Sequence, residues 1–323
     1  MWIVNTLLTI LTLGVFSAWA KIRKRRYLRG NTRLLGQAFH YTANPWRILI
    51  GNLIVAALFL SYSFFGAVYP IARFSALVIG IALLPWIVVR SLGFNAHNTL
   101  YRGMRLRFRS GLTEACVVYL VLPLLIFCTL GLYYPAWQRR KQAFMMNNHR
   151  YGDAFFSFHA GAGGFYRAII FGALIVFAGA ALMGTIIAVW TTTHAGTPPS
   201  QTFILTITVL IYGSAFFTGR HYTQPRIFNH IWNHTQLDDH QFVAQMSPGA
   251  WMKLQWTNQL AIIFTCGLAL PWATIRNTRF MMESLPLNLT APDSLENVDT
   301  MGSVQGSALG DSAADFVGVD FGL

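Results

Sequence analysis

The chain has 323 residues, of which 54% are hydrophobic, 15% aromatic and only 11% charged, whereas an average soluble domain carries about 25% charged residues. So little charge cannot cover a water-soluble globule of this size, and the wealth of apolar residues equally excludes a disordered or collagen-like chain. The composition predicts an all-α multi-pass membrane protein.

The net charge of +13 and pI of about 10.1 would suggest nucleic acid in a soluble chain. In a membrane protein basic residues collect in cytoplasmic loops, so no nucleic-acid partner is expected. Arg outnumbers Lys 20 to 4, which favours planar, bidentate contact with phosphate or carboxylate over diffuse charge. The acids are segregated: Asp293, Glu296, Asp299, Asp311, Asp315 and Asp320 all fall where the sequence has no Lys or Arg. Residues 286–323 read as an acidic, flexible C-terminal tail.

Taken in chain order, apolar stretches occupy 1–20, 48–69, 71–89, 115–137, 168–190, 202–219 and 260–275. A full crossing needs about 20 residues, so the last is marginal. The first has no basic residue before it and the cluster Lys21 to Arg26 after it. It is therefore expected to stay in the membrane and not to act as a cleaved secretory signal. Cys116, Cys128 and Cys266 lie inside apolar runs, at spacings that suit neither zinc nor a disulfide framework.

A repeat runs through 1–285. Trp19, Arg23, Tyr27, Asn31, Gly36, Phe39 and Tyr41 align without a gap on Trp86, Arg90, Phe94, Asn98, Gly103, Leu106 and Phe108. A third copy contains Trp137, Arg140, Phe144, Asn148, Phe156 and Phe158. A faint fourth has Tyr222, Arg226, His230, His234 and Phe242, and a fifth begins Trp272, Arg276, Phe280 with Ser284 in the Asn position. Residues spaced by four drift about 40° per step around an α-helix, so Trp, Arg, aromatic and Asn form one stripe. The Asn and the glycine after it predict a helix stop and turn, and alternations such as Phe39-His40-Tyr41 and Phe156-Ser157-Phe158 predict short interfacial β segments. The odd copies share a further signature, TLGVFSAW at 12–19, TLGLYYPAW at 129–137 and TCGLALPW at 265–272. Repeat pairs of about 1–128 and 129–260, with a partial third over 261–285, account for this pattern.

Seven alternating spans would place the basic loop 138–167 opposite the basic loop 21–47, against the positive-inside rule. The rule is satisfied if the three segments ending in the TLG or TCG signature enter and leave on one side. The expected architecture is therefore four full spans plus three re-entrant or interfacial segments, with seven transmembrane helices as the alternative. Either way the tail is expected in the cytoplasm. Pro123, Pro135 and Pro271 are the residues expected to break the re-entrant helices.

The run NTLLTILTLGVFSAWAKIRKRRYLRGNTRLLGQAFHYTANPW resembles the signature of the YjgN-type bacterial inner-membrane proteins, a family of unknown function. The likeness continues through the repeats to the acidic ending SALGDSAADFVGVDFGL. Two departures stand out: the chain begins inside the first repeat, without the Phe-rich stretch that precedes it in the family, and Ser17-Ala18 replaces the usual residues before Trp19. The resemblance implies fold kinship and a multi-pass protein of the bacterial inner (cytoplasmic) membrane, with no activity attached.

Chemistry candidates are few. His230, His234, Asp238 and His240 are weak metal-ligand candidates, since His at i and i+4 can share a helix face, but His230 and His234 also fall on the aromatic and Asn positions of the stripe. No catalytic constellation and no cofactor motif is found, and the acids before the tail (Glu114, Asp153, Asp238, Asp239, Glu283) avoid the spans. The expectation is a non-enzymatic membrane scaffold or an anionic-lipid-interacting protein, with a small-solute or ion transporter or channel as the alternative. Arg23, Arg90, Arg140 and Arg276 are the lipid-phosphate candidates, and Trp19, Trp86, Trp137 and Trp272 the interfacial anchors.

Overall fold

The computed structural model describes residues 2–288 apart from 35, 195 and 239, and for 58, 61, 65–68, 70 and 72 the backbone only. The six tail acids named above lie outside the described residues. Two compact units are present, the first running to Phe158 and the second from His159 to residue 288, with Leu237 and Asp238 grouped with the first.

In the first unit, helices α1 (Trp2–Leu11) and α2 (Ser17–Asn31) precede the short strands β1 (Arg33–Leu34), β2 (Gln37–Ala38) and β3 (His40–Tyr41). Helices α3 (Pro45–Val68) and α4 (Pro70–His97) follow, then the hairpin β4 (Thr99–Tyr101) and β5 (Met104–Phe108). Next, α5 (Leu112–Cys116), a π-helical turn over Val117–Val121 and α6 (Leu122–Cys128) run on without a break. After a turn, α7 (Tyr134–Asn147) leads to the hairpin β6 (His149–Tyr151) and β7 (Ala154–Phe158). Strands β3 to β7 form an antiparallel sheet in sequence order, with His40 opposite Leu100, Leu106 opposite Tyr151 and Arg150 opposite Phe155.

The second unit contains α8 (Ala162–Thr193), α9 (Gln201–Ile207), a π-helical turn over Thr208–Tyr212 and α10 (Gly213–Trp232). It continues with β8 (Thr235–Leu237), β9 (His240–Phe242), α11 (Pro248–Phe264), α12 (Leu270–Glu283) and β10 (Leu287–Asn288), which pairs with β9. Helices α8 and α10 pack closely: a methyl group added to Gly219 would meet the Gly172 carbonyl at 2.7 Å, and one on Gly179 would meet the Ala215 methyl at 2.2 Å.

Four helices are long and apolar enough to cross a membrane, Pro45–Phe64, Arg73–His97, Ala162–Thr193 and Gln201–Trp232. They match the four segments expected as full spans, although the last extends well beyond residue 219. Their apolar side chains are turned outward: Ile71, Phe74, Leu77, Val78, Ile79 and Ile81 on α4 are all exposed, an arrangement that water would penalise and lipid would not. In the first unit burial is concentrated instead near the ends of these segments and in the loops that join them. Val88, Leu92 and Ala96 on α4 pack with Phe108, Ala115, Val118 and Phe144, while Ala18, Ile22, Tyr41, Ala43, Ile48 and Phe94 form a second core.

The three TLG and TCG segments share one local geometry. Leu13, Leu130 and Cys266 have φ of 49°, 49° and 48°, and the glycines after them have φ of 91°, 89° and 91°. The helix therefore ends in two consecutive left-handed residues, and the Gly amide closes a wide turn onto a carbonyl five residues back, Gly14 to Thr9 at 2.7 Å, Gly131 to Ile126 at 2.7 Å and Gly267 to Ile262 at 2.8 Å. The threonine works in both directions. Thr12 Oγ1 donates to the Leu8 carbonyl and accepts from the Phe16 amide, Thr129 does so with Leu125 and Tyr133, and Thr265 with Ala261 and Ala269. These contacts satisfy backbone groups that a helix end leaves open. The expected role of proline needs correction. Pro135 and Pro271 sit in the first turn of α7 and α12, where the missing amide costs nothing, Pro123 lies inside the continuous helix 112–128 just after the π-helical turn, and the Leu-Gly or Cys-Gly pair makes the break.

A second geometry recurs at the helix ends. Asn31, Asn98 and Asn148 donate from Nδ2 to the carbonyls of Tyr27, Phe94 and Phe144 at 2.7, 2.8 and 2.8 Å. His234 Nδ1 reaches the His230 carbonyl at 2.8 Å, and Ser284 Oγ reaches that of Phe280 at 2.7 Å. One residue further on, Thr99, His149 and Thr235 bond back in the same way to Asn95, Met145 and Ile231. Each helix thus closes on side chains able to bond to a carbonyl four residues back, and a hairpin or strand follows.

Candidate functional site

In the first unit, Trp19 stands edge-on to Trp46 with ring centroids 5.2 Å apart and packs on the core of Ala18, Ile22 and Tyr41. Arg23 lies one turn further along α2. Its guanidinium is 5.4 Å from the centre of the Phe16 ring, and Nη1 donates to Asn5 Oδ1 on α1 at 3.3 Å. Arg90 is exposed and lies 5.7 Å from the Trp86 ring centre, one turn back on α4. Arg140 is exposed on α7. Trp137, one residue off the register of the other tryptophans, is tied to the protein itself, its indole Nε1 donating at 2.8 Å to the Val118 carbonyl in the π-helical turn. It is Lys141, 5.4 Å from that ring, that covers it.

In the second unit, Arg276 lies 5.1 Å from the centre of the half-exposed Trp272 ring. Its Nη1 donates to Thr257 Oγ1 at 2.7 Å and to Asn258 Oδ1 at 2.9 Å, both on α11. Asn258 in turn donates from Nδ2 to Asn277 Oδ1 at 2.8 Å, and Gln255 joins the same oxygen at 3.1 Å. Asn258 is 2% exposed, so this amide has no solvent to fall back on and its bonds within the pair matter. The Nε and Nη2 groups of Arg276 donate to no acceptor among the described residues.

Reading the sequence alone misses Asn5 and Asn258. Both were absorbed into or beside apolar runs, yet each precedes its arginine by 18 residues, and that shared offset is the signal that could have found them. The third copy has Leu122 at the same offset from Arg140. The cluster Lys21 to Arg33 also proves to be largely structural. Arg25 Nη1 donates to Asn95 Oδ1 at 2.7 Å and to the Tyr41 hydroxyl at 3.0 Å, Arg26 holds the carbonyls of Tyr41 and Ala43, and Arg29 Nη1 donates to Thr99 Oγ1. The Tyr41 ring lies near the guanidinium groups of both Arg25 and Arg29. An open cleft of about 480 Å³ beside them is lined by Arg26, Gly30, Phe39, His40, Tyr41 and Thr42.

The histidine candidates have other partners. His230 Nε2 bonds the Gly161 carbonyl at 2.9 Å and its ring stands edge-on to Phe165, while His234 Nδ1 is bonded to the His230 carbonyl. Asp238 occupies a turn at φ 53°, and His240 is buried in β9. Among the described residues no three His, Cys, Asp or Glu side chains are close enough to hold a metal ion.

Four apolar helices with outward-facing hydrophobic side chains, joined by helix ends rich in Trp and Arg, define a polytopic helical membrane protein. The chain belongs to the family described as bacterial protein of unknown function (DUF898), whose model matches residues 1–316. It is 31% identical over 129 residues to "Inner membrane protein YjgN" of Salmonella typhimurium strain LT2, and 30% identical over 135 residues to the protein of that name in Escherichia coli strain K12. Each match covers 40% of this chain and 33% of the relative's length. No solved structure matches.

Proposed function

We propose that this protein is a non-enzymatic scaffold of the bacterial inner membrane that holds anionic phospholipids at its basic face through Arg23, Arg90, Arg140 and Arg276. The observation that carries the reading is Arg276 lying over Trp272 with its Nε and Nη2 uncommitted, beside an aromatic ring suited to headgroup depth. Arg90 over Trp86 repeats the pairing. The supply of carboxylates for these arginines is small, since five acids precede residue 293 against 24 Lys and Arg.

The topology follows from the same charges. Four crossings put 1–44, 98–161 and 233 onward on one side, and with them 18 of the 24 Lys and Arg; the positive-inside rule makes that side cytoplasmic, the acidic tail included. The TLG and TCG hairpins then dip into the bilayer and return. Leu13 and Leu130 at the turns are each 95% exposed, a placement that favours lipid around the tip. The recurring turn and helix-end geometries support descent of the chain from a duplicated unit.

The test is phosphatidylglycerol retention by the detergent-purified protein, measured by native mass spectrometry. Replacing all four arginines by alanine is expected to abolish preferential retention over phosphatidylcholine. Unchanged retention in a folded variant overturns the reading.

A further inference from the structure

Resting on that lipid-binding reading, we infer that the four arginines are not equivalent: Arg23 and Arg276 are phosphate sites preset by a neighbouring helix, with Asn5 and Asn258 as their positioning residues, whereas Arg90 and Arg140 have no such partner and hold phosphate more weakly. The ligand class is the phosphodiester of an anionic glycerophospholipid.

The argument begins with the guanidinium. An arginine at a helix end has several freely turning bonds, and freezing a side chain of this kind on binding costs about 0.5–1.5 kcal/mol. In the α11–α12 pair that freedom is already lost. One nitrogen, Nη1, is held by two acceptors on α11, Thr257 Oγ1 and Asn258 Oδ1, and the guanidinium carbon lies 5.1 Å from the centre of the Trp272 ring. Asn258 cannot drift, because its own Nδ2 is bonded to Asn277 and it is almost fully buried. With Nη1 spent on the protein, the edge formed by Nε and Nη2 is left, and that edge matches two oxygens of a phosphate. A carboxylate at the position of Asn258 would neutralise the arginine and compete with the ligand. A neutral amide orients the guanidinium and leaves its full charge for an anion.

The α1–α2 pair shows the same device. Asn5, 9% exposed, accepts from Arg23 Nη1 across the same 18-residue interval, and the ring beside this guanidinium is Phe16, seven residues back, where Arg276 has Trp272 four residues back. The contrast is built into the chain. At Arg140 the corresponding residue is Leu122, which offers no acceptor, and Arg90 follows a single continuous helix with no partner helix at that offset.

The experiment uses the full chain in detergent, titrated with phosphatidylglycerol and, in a separate arm, with inorganic phosphate. Arg23→Ala/Arg276→Ala is expected to remove most of the selective phosphatidylglycerol binding, and Arg90→Ala/Arg140→Ala to weaken it at least threefold less than that pair does. Asn258→Leu, which copies the natural Leu122, is expected to weaken binding about three- to tenfold while Arg276 stays in place; Asn258→Asp, which keeps the acceptor for Arg276 but loses the donor to Asn277 and adds a negative charge, is expected to weaken it at least as much. Inorganic phosphate is expected to compete poorly, since it lacks acyl chains to lie along the exposed helix. If removing all four arginines changes nothing, the lipid-binding reading itself fails. If the arginines matter but both pairs matter equally, or folded Asn258→Leu binds like the parent, the lipid reading stands and the preset-site inference is overturned. Phosphate competing as well as the lipid overturns the assignment to a phospholipid.

Discussion

Arg276 donates from Nη1 to Asn258 Oδ1 at 2.9 Å, and Arg23 donates from Nη1 to Asn5 Oδ1 at 3.3 Å, each across 18 residues of chain. The interval is set by the helix break between them. A Leu-Gly or Cys-Gly pair in the left-handed region turns the chain back, so that a residue seven before the threonine faces one eleven after it. The break, and not the helices, determines which side chains meet.

That break is therefore the place where a small change should be costly. At Gly131 a methyl group would meet nothing within 4 Å, but φ is 89°. Gly131→Ala is expected to destabilise by about 1–2 kcal/mol through backbone strain alone. Gly163→Ala, in the first turn of α8 with equal space and no positive φ, is expected to be neutral or slightly stabilising. Thermal unfolding in detergent distinguishes the two; equal midpoints for both variants would show that the turn does not need its glycine.

Stability should depend on pH through His149. Burial holds its imidazole below the usual 6.5, opposed in part by the Nδ1 bond to the Met145 carbonyl. Because the folded-state value is the lower one, the unfolded chain takes up the proton first. Stability from this group is complete above pH 6.5 and is lost as pH falls below it towards the folded-state value. Thr99 and Thr235 make the same backward bond from equivalent positions, so His149→Thr is expected to fold and to flatten the acid limb of a stability profile. An unaltered slope would assign the pH response to other groups.

A tyrosine ladder joins the strands of the first unit. Tyr101 donates from its hydroxyl to the Leu34 carbonyl at 2.8 Å, and Tyr151 to the Tyr101 carbonyl at 3.1 Å. Burial pushes the Tyr151 hydroxyl up to about 12, so it stays protonated and able to donate. Tyr151→Phe is expected to cost about 1 kcal/mol, the net worth of one such bond, seen as a lower denaturation midpoint with unchanged secondary structure. No measurable shift would mean that ring packing alone holds the ladder.

The hairpin reading makes a topological prediction. In a variant with Cys116, Cys128 and Cys266 replaced, single cysteines at Gly111, which is exposed, and Gln142 are expected to react with a membrane-impermeant thiol reagent from the cytoplasmic side only. Labelling of position 142 from the periplasm would require the segment 112–128 to cross, as seven spans demand.

Much of the fold was legible because its signals are local. The four long helices follow from runs of apolar residues, and the turns from TLG and TCG, whose glycines supply the positive φ. The His230 and His234 positions were readable as stripe positions, and His234 does bond to the carbonyl four residues back as the asparagines do. What could not be read was which polar side chains are spent inside the protein. Arg25, Arg26 and Arg29 are indistinguishable by composition from Arg23, yet they bind carbonyls, hydroxyls and an amide within their own unit.

Sequence by itself determined the membrane class, the four long helices and the places where the chain turns, because hydropathy and backbone preference act over a few residues. Only the tertiary structure decided how the arginines differ. Whether a guanidinium is pinned, preset or left open depends on acceptors brought to it by another helix or strand, such as Asn258, Asn5 and Thr99. A contact of that kind is a property of the turn between two elements and of the packing that holds them together, which no single stretch of residues carries.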